Sequence, residues 1–319
     1  MSGKKKIIFR ADGNSEIGLG HITRSLALAA MLKDDFLCVF ATRFLTDYLE
    51  KEIQKNCTEI IHLPQSKDHF QVFLSHLTGN EIVVLDNYFF DTEYQREIKA
   101  KGCKLVCIDD LHDKHFVADA VINHAPGIEK DDYSAEAYTK LCLGLDYTLL
   151  RPAFLQATSL RDTFAKNNNL LICFGGADPN NDTLQTLQFL ERKEKDFHCH
   201  LVLGNVYKHI NILNDFIKTT PLSIDVYHNL DEFSMVKLMQ SCAQAILPPS
   251  TISMEYLTVR NGTLYLKLIA ENQNQFHDYL INNKYVLPFE LINEEKKLEQ
   301  IMHFNGKSKN QILSLFYTL

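Results

Sequence analysis

The chain has 319 residues, a formal net charge of −7 and a globular composition, with 45% hydrophobic and 23% charged residues. That length suits two domains, because single cores stop growing near about 250–300 residues. Apart from Lys4-Lys5-Lys6 there is no basic tract, which argues against nucleic acid as the main partner.

The opening MSGKKKIIFRADG lacks the apolar h-region of a secretory signal, and no apolar run approaches the roughly 18 residues of a membrane span. A cytoplasmic protein without a membrane span is expected. The eight cysteines fit that compartment. Cys38, Cys107, Cys173 and Cys199 lie in apolar runs, as buried free thiols do; no C-x-x-C pair exists, and Cys103 and Cys107, four apart, have no second pair nearby at zinc-site spacing.

In chain order, strands are predicted at Lys6–Arg10, Phe36–Ala41, Ile60–Leu63, Glu81–Asp86, Lys104–Ile108, Ala120–Ile122 and Lys140–Leu143. Helical spacing fills the intervals, as at Phe44, Tyr48, Leu49 and Ile53. Alternation of this kind predicts a parallel α/β sheet. The pattern breaks in RPAFLQATSLRDTFAKNNN and restarts at Leu170–Phe174, with further strands at His198–Leu203, Ser223–Val226, Gln244–Leu247 and Gly262–Leu268. The expected organisation is two Rossmann-like domains, 1–158 and 159–319, facing one another across a cleft. The last thirty or so residues read as two amphipathic helices that either extend the second domain or pack across the boundary.

Ligands of open parallel sheets bind beyond the carboxyl ends of the strands, so the loops after strands carry the functional candidates. RADGNSEIGLGHITR follows the first strand. Gly13, Gly18 and Gly20 permit close backbone approach, but the spacing is not that of a dinucleotide fingerprint. His21 opens a helix. A tight turn is the plain reading; against it, a helix N-terminus disfavours a protonated ring, and a neutral imidazole at a cleft is a good general base.

Five more strand ends resemble it in placement. Gly175-Gly176 follow Phe174 as either a ligand approach or an ordinary turn. Ser250 or Thr251 can cap a helix whose start suits a diphosphate, with Glu255 either a ribose acceptor or part of a capping box. Asn272 and Gln273 belong to an amide-rich stretch that either contacts a sugar or base or is a solvated loop. Asp86-Asn87-Tyr88 and Asp109-Asp110 face the proposed cleft, unless Asp86 merely caps the segment after it. His198-x-His200 reads as decoration of one sheet face in preference to a metal site.

RADGNSEIGLGHITRSLALA is similar to the amino-terminal signature of the nucleotide-sugar hydrolases of pseudaminic acid biosynthesis. The resemblance covers most of the chain in order: R-x-D-x-x-x-x-I-G-x-G-H, Asp-x-Tyr, the Gly-Gly strand end, the Glu255 helix and the Asn272-Gln273 pair. It implies the two-domain GT-B fold and inverting, metal-independent hydrolysis of UDP-2,4-diacetamido-2,4,6-trideoxy-β-L-altropyranose to UDP and free sugar, with no cofactor. His21 matches the base that activates water, and Tyr88 a tyrosine near the reacting sugar. Asp12 stands beside the loop as the group that either orients His21 or only closes the turn. Gly18, Gly20, Arg24, Gly175, Gly176, Ser250, Thr251, Glu255, Asn272 and Gln273 are the expected substrate and nucleotide contacts. The family commonly has histidine where this chain has Asn87, and its pattern does not account for the segment beyond about residue 285. The partner implied is a UDP-sugar, and a monomer or weak dimer is expected. A glycosyltransferase of the same fold, or a nucleotide-sugar-binding protein without catalysis, are the alternatives.

Overall fold

The structure is a computed structural model that describes residues 3–14, 18–160, 167–193, 196–204, 206–292, 294 and 307–319. These divide into two compact units. Residues 3–14, 21–151 and 307–319 form the first, and residues 18–20 with those from 152 to 294 form the second.

The first unit runs through β1 (Lys6–Ala11), α1 (Gly20–Leu32), β2 (Leu37–Thr42), α2 (Asp47–Gln54), β3 (Glu59–His62), α3 (His69–Ser75), β4 (Ile82–Asp86), α4 (Thr92–Ala100), β5 (Lys104–Ile108), β6 (His115–Phe116), β7 (Ala120–Asn123), β8 (Ser134–Ala135) and β9 (Lys140–Leu143). Seven strands form one parallel sheet in the order β3-β2-β1-β4-β5-β7-β9, while β6 and β8 pair separately. The near-continuous apolar runs follow from helices covering both faces: every residue of β4 is buried.

The second unit holds α5 (Pro152–Ala157), β10 (Asn169–Ile172), α6 (Asp182–Glu191), β11 (His198–Leu203), α7 (Ile210–Ile217), β12 (Ser223–His228), α8 (Glu232–Ser241), β13 (Gln244–Leu247), α9 (Thr251–Val259), β14 (Thr263–Leu266), α10 (Asn274–Asn282) and β15 (Leu287–Pro288). Its parallel sheet is ordered β12-β11-β10-β13-β14-β15. In each sheet the strand order reverses beside the first strand, between β1 and β4 and between β10 and β13. Crevices of doubly wound sheets open at such reversals. No described helix is long and apolar enough to cross a membrane.

The contacts divide the chain at Arg151 and Pro152, whereas the sequence pattern puts the cut at residue 158. The final helix α11 (Ser308–Tyr317) belongs to the first unit and does not extend the second. Phe316 meets Phe36 edge-on at 6.2 Å, and the Tyr317 hydroxyl donates to Asp35 Oδ1 at 2.6 Å. Apolar contact returns the helix to the β2 end of the first unit. The first of the two expected terminal helices falls outside the described residues.

Asp12 fastens three strand ends. It is fully buried, and its Oδ1 accepts from Thr42 Oγ1 at 3.1 Å and Arg43 N at 2.8 Å. Its Oδ2 accepts from Arg10 Nη2 at 2.8 Å and Arg43 Nε at 2.7 Å. From the β4 end, Asn87 Oδ1 accepts the Asp12 amide at 2.7 Å. Burial alone would raise the Asp12 pKa, but hydrogen bonds and charge from Arg10 and Arg43 hold the carboxyl below its usual range.

Two buried histidines are held neutral. His69 Nδ1 faces Arg10 Nη2 at 3.2 Å and His124 Nδ1 faces the Leu149 amide at 3.1 Å. Both partners can only donate, so each Nδ1 must accept. Burial, reinforced for His69 by Arg10 and Arg43 and for His124 by Arg24, pushes both pKa values down to about 4. Between roughly pH 6.5 and 4 the unfolded chain therefore takes up protons that the folded chain refuses, and stability falls as pH falls. Guanidinium midpoints should drop from pH 7 to pH 5, each ring steepening the profile by at most ~1.4 kcal/mol per pH unit. His124→Asn, which keeps an acceptor for the Leu149 amide, should flatten the slope; an unchanged slope would remove His124 from this role.

Candidate active site

Helix α1 places His21, Arg24 and Ser25 at positions i, i+3 and i+4, which lie on one helix face. That face meets the carboxyl end of β4, whose last residue, Asp86, sits in register beside Ala11 of β1. All three side chains converge on its carboxylate. His21 Nδ1 lies 2.8 Å from Oδ1, Arg24 Nη2 donates to Oδ1 at 2.6 Å, Arg24 Nε donates to Oδ2 at 2.8 Å, and Ser25 Oγ donates to Oδ2 at 3.1 Å.

Asp86 is 0% exposed. Burial would raise its pKa, but the Arg24 charge and then the His21 ring outweigh it and leave the carboxyl below its usual range. Asp86 is thus an anion, and His21 is oriented by donating Nδ1–H to it. Arg24 Nη2, 3.1 Å from the same Nδ1, gives its proton to the carboxylate, because a protonated Nδ1 cannot accept. The arrangement leaves Nε2 as the basic nitrogen of His21, the tautomer a carboxylate–histidine pair selects.

Tyr88 and Asp110 complete the group. The Tyr88 ring stands edge-on to His21 with centroids 4.6 Å apart, and its hydroxyl donates to Asp110 Oδ2 at 3.2 Å. Arg24 Nη1 donates to the same oxygen at 2.8 Å. Asp110 Oδ1 has no hydrogen-bond partner among the described residues. Tyr88 is exposed at 43%, while burial of its hydroxyl end, followed by the Asp110 charge, raises its pKa and keeps the phenol protonated. Asp109 has other partners. It accepts the His112 amide at 2.8 Å and the Tyr133 hydroxyl at 2.9 Å, pinning the loop.

Two sequence expectations change here. Asp12 is engaged by Arg10, Thr42 and Arg43, so the orienting group for His21 is Asp86. Arg24, expected among the substrate contacts, is buried between Asp86 and Asp110, with its guanidinium engaged by both. The Asn87 side chain brackets the Asp12 backbone through both its atoms. From the sequence, Asp86 reads only as a cleft-facing residue or a cap. The His-x-x-Arg-Ser spacing on the helix is the one available signal that a single acidic partner has to meet all three.

In the second unit the candidates from Gly175 onward follow the carboxyl ends of β10, β13 and β14. Gly175 has φ +80°. A Cβ at Gly204 would come within 2.4 Å of Gly176 Cα, so the β10 and β11 exits approach closely only without side chains. Helix α6 is closed to an anion by its own chain: Asp178 Oδ1 and Oδ2 accept the amides of Asp182 at 2.6 Å and Thr183 at 2.9 Å. Helix α9 differs. Ser250 is its N-cap residue but makes no side-chain cap bond. Glu255 is five residues into that helix and buried, so it is not in the capping-box position. Asn272 and Gln273 lie in a 3-10 turn after β14, where Gln273 Oε1 accepts the Ile269 amide at 3.3 Å.

No family model matches the sequence. An uncharacterized protein of Methanocaldococcus jannaschii, MJ1062, is 28% identical over 288 residues, spanning 86% of this chain and 58% of that protein. The UDP-2,4-diacetamido-2,4,6-trideoxy-β-L-altropyranose hydrolase of Campylobacter jejuni is 25% identical over 274 residues, spanning 85% of this chain and 93% of the hydrolase. The chain thus spans little more than half of the first relative and nearly all of the second. Among solved structures, Anabaena HepE in complex with UDP-glucose superimposes with a TM-score of 0.59 at 12% identity, covering 98% of this chain and 100% of HepE. The paired Rossmann-like sheets are those of the GT-B fold, and over most of its length the chain is similar in sequence to the C. jejuni hydrolase.

Proposed function

We propose that the chain hydrolyses a UDP-linked diacetamido-trideoxy sugar at its anomeric C–O bond, releasing UDP and the free sugar. The observation that carries this reading is the 2.8 Å contact between His21 Nδ1 and the buried Asp86 carboxylate at the carboxyl edge of the first sheet. Phosphate recognition alone needs only backbone amides and cations; a carboxylate-oriented imidazole is a device for moving protons.

In this mechanism His21 Nε2 takes a proton from water as the water oxygen bonds to the anomeric carbon. The anomeric C–O bond breaks on the opposite face, and its electron pair leaves with the diphosphate of UDP, giving inversion. Asp86 stabilises the imidazolium that forms. UDP is a weakly basic leaving group, so no strong general acid is required. Arg24 acts through the carboxylates it pairs with. Tyr88 offers its part-exposed ring to the sugar, and the unpartnered Asp110 Oδ1 is an acceptor beside it.

The nucleotide is assigned to the second unit. The α9 start has no side-chain cap and suits the diphosphate, whereas α6 is already capped by Asp178. Glu255 is the proposed ribose acceptor, with Gly175, Gly176, Thr251, Asn272 and Gln273 as flanking contacts. Gly18 and Gly20 would admit the sugar. Transfer of the sugar to an acceptor hydroxyl is the second reading, favoured by the likeness to HepE in complex with UDP-glucose.

UDP release from the UDP-altrose derivative without acceptor separates the two. We expect turnover by the wild-type chain and a loss of about 10²–10⁴-fold in His21→Ala, with UDP affinity unchanged. Tight UDP binding with no release until an acceptor is added would establish the transferase. Glu255→Ala should weaken UDP binding by about 10–100-fold, read by calorimetry alongside circular dichroism to confirm folding. Unchanged affinity would remove Glu255 from the site.

A further inference from the structure

We propose that His198 and His200 on β11, with Asp225 on the edge strand β12, form a zinc-binding site on the second unit, separate from the nucleotide-sugar chemistry. The alternation of a strand puts His198 and His200 on one face, while Cys199, Leu201 and Leu203 enter the core on the other. The parallel register pairs His200 with Asp225, which brings the carboxylate to the same face.

The three side chains present donor atoms that all lie within 4.8 Å of one another. His198 Nε2 is 2.9 Å from Asp225 Oδ2, and His200 Nδ1 is 3.7 Å from the same oxygen. Ligands of a tetrahedral zinc ion sit about 2.0–2.2 Å from the metal, hence roughly 3.3 Å from one another. The two separations bracket that value, so small side-chain rotations complete the geometry. Two imidazoles and one carboxylate form a donor set that zinc accepts, with a fourth position for water.

A histidine–aspartate ion pair would account for His198 and Asp225, which are both about half-exposed, but it leaves His200 unexplained. That ring is 6% exposed, and the nitrogen it turns toward the Asp225 carboxylate is Nδ1. Its polar contacts are all made through Nδ1, toward Asp225 and the Tyr227 hydroxyl at 3.2 Å. The two rings also pack against each other with centroids 4.4 Å apart. One carboxylate faced by two imidazoles is an arrangement that a divalent cation satisfies better than a proton. The Tyr227 hydroxyl is the group that the ion would displace from Nδ1. Bound zinc would tie the exposed edge of β12 to β11 across the hydrogen-bonded ladder, coupling metal affinity to the stability of this sheet.

The test uses the full chain without an affinity tag, stripped by a chelator and titrated with Zn²⁺ against a chromophoric competitor. Co²⁺ substitution then reports the coordination. We expect one equivalent bound, visible Co²⁺ d–d absorption and a raised thermal midpoint. Affinity should fall more than about 100-fold in His200→Ala and Asp225→Asn, and stay unchanged in His21→Ala. Asp225→Asn alters an exposed side chain and decides the matter even if His200→Ala fails to fold. Absence of stoichiometric uptake, or uptake that survives Asp225→Asn or disappears with His21→Ala, would overturn the proposal. None of these readouts depends on turnover, so failure here leaves the proposed hydrolysis untouched, and the converse holds.

Discussion

The carboxylate of Asp86 is the constraint around which the first unit's site is built. A buried anion costs several kcal/mol in lost hydration unless charge and hydrogen bonds replace the water. Here the replacement is Arg24, His21 and Ser25, all from one face of α1. The requirement runs in both directions. Without α1 seated against β4 the carboxylate would be unpaired, and without the carboxylate Arg24 would be a buried cation with Asp110 alone. Ion pairing therefore sets the angle and height of the helix against the sheet, and the position of the His21 ring follows from it.

Two buried aspartates stand close together in the fold and act differently because their neighbours differ. Asp12 lies just beyond β1 and is enclosed by Arg10, Thr42 and Arg43, with Asn87 holding its backbone. All of these contacts but that of Arg10, which lies on β1 itself, join the ends of different strands. Asp86, one strand over, faces α1 instead. Its partners include an imidazole, whose second nitrogen retains a lone pair for chemistry. Which aspartate serves a histidine is decided by the side of the strand end each faces, and a linear reading of the loop gives no access to that.

The second unit shows a similar separation between look-alike features. Gly175-Gly176 and Pro248-Pro249-Ser250 both follow apolar strands and both lead into helices. Asp178 occupies the α6 N-terminus with its own carboxylate, whereas the α9 start carries no side-chain cap. A helix start already neutralised by its own chain has little left for an external anion. Gly176, at the β10 exit, serves close packing of strand exits, as the Gly204–Gly176 approach requires. On this ground α9 is the better diphosphate acceptor.

The strands and their order of succession are legible in the chain because buried parallel strands must be apolar throughout, and Ile7–Phe9, Val83–Leu85 and Leu170–Ile172 carry that signature locally. His21 is legible too, since a histidine at a glycine-rich strand-to-helix turn is a local feature. The seat of the final helix is not: an amphipathic pattern says that one face will be buried but not against which partner, and Phe36 lies far away in sequence. Nor does the sequence reveal the partner of His21, the engagement of Arg24 or the meeting of His200 with Asp225. Each joins residues 25 to 86 positions apart, through the register of neighbouring strands and the seating of a helix. Short-range chemistry is written in the chain, whereas the pairing of charges across a sheet exists only once the sheet has formed.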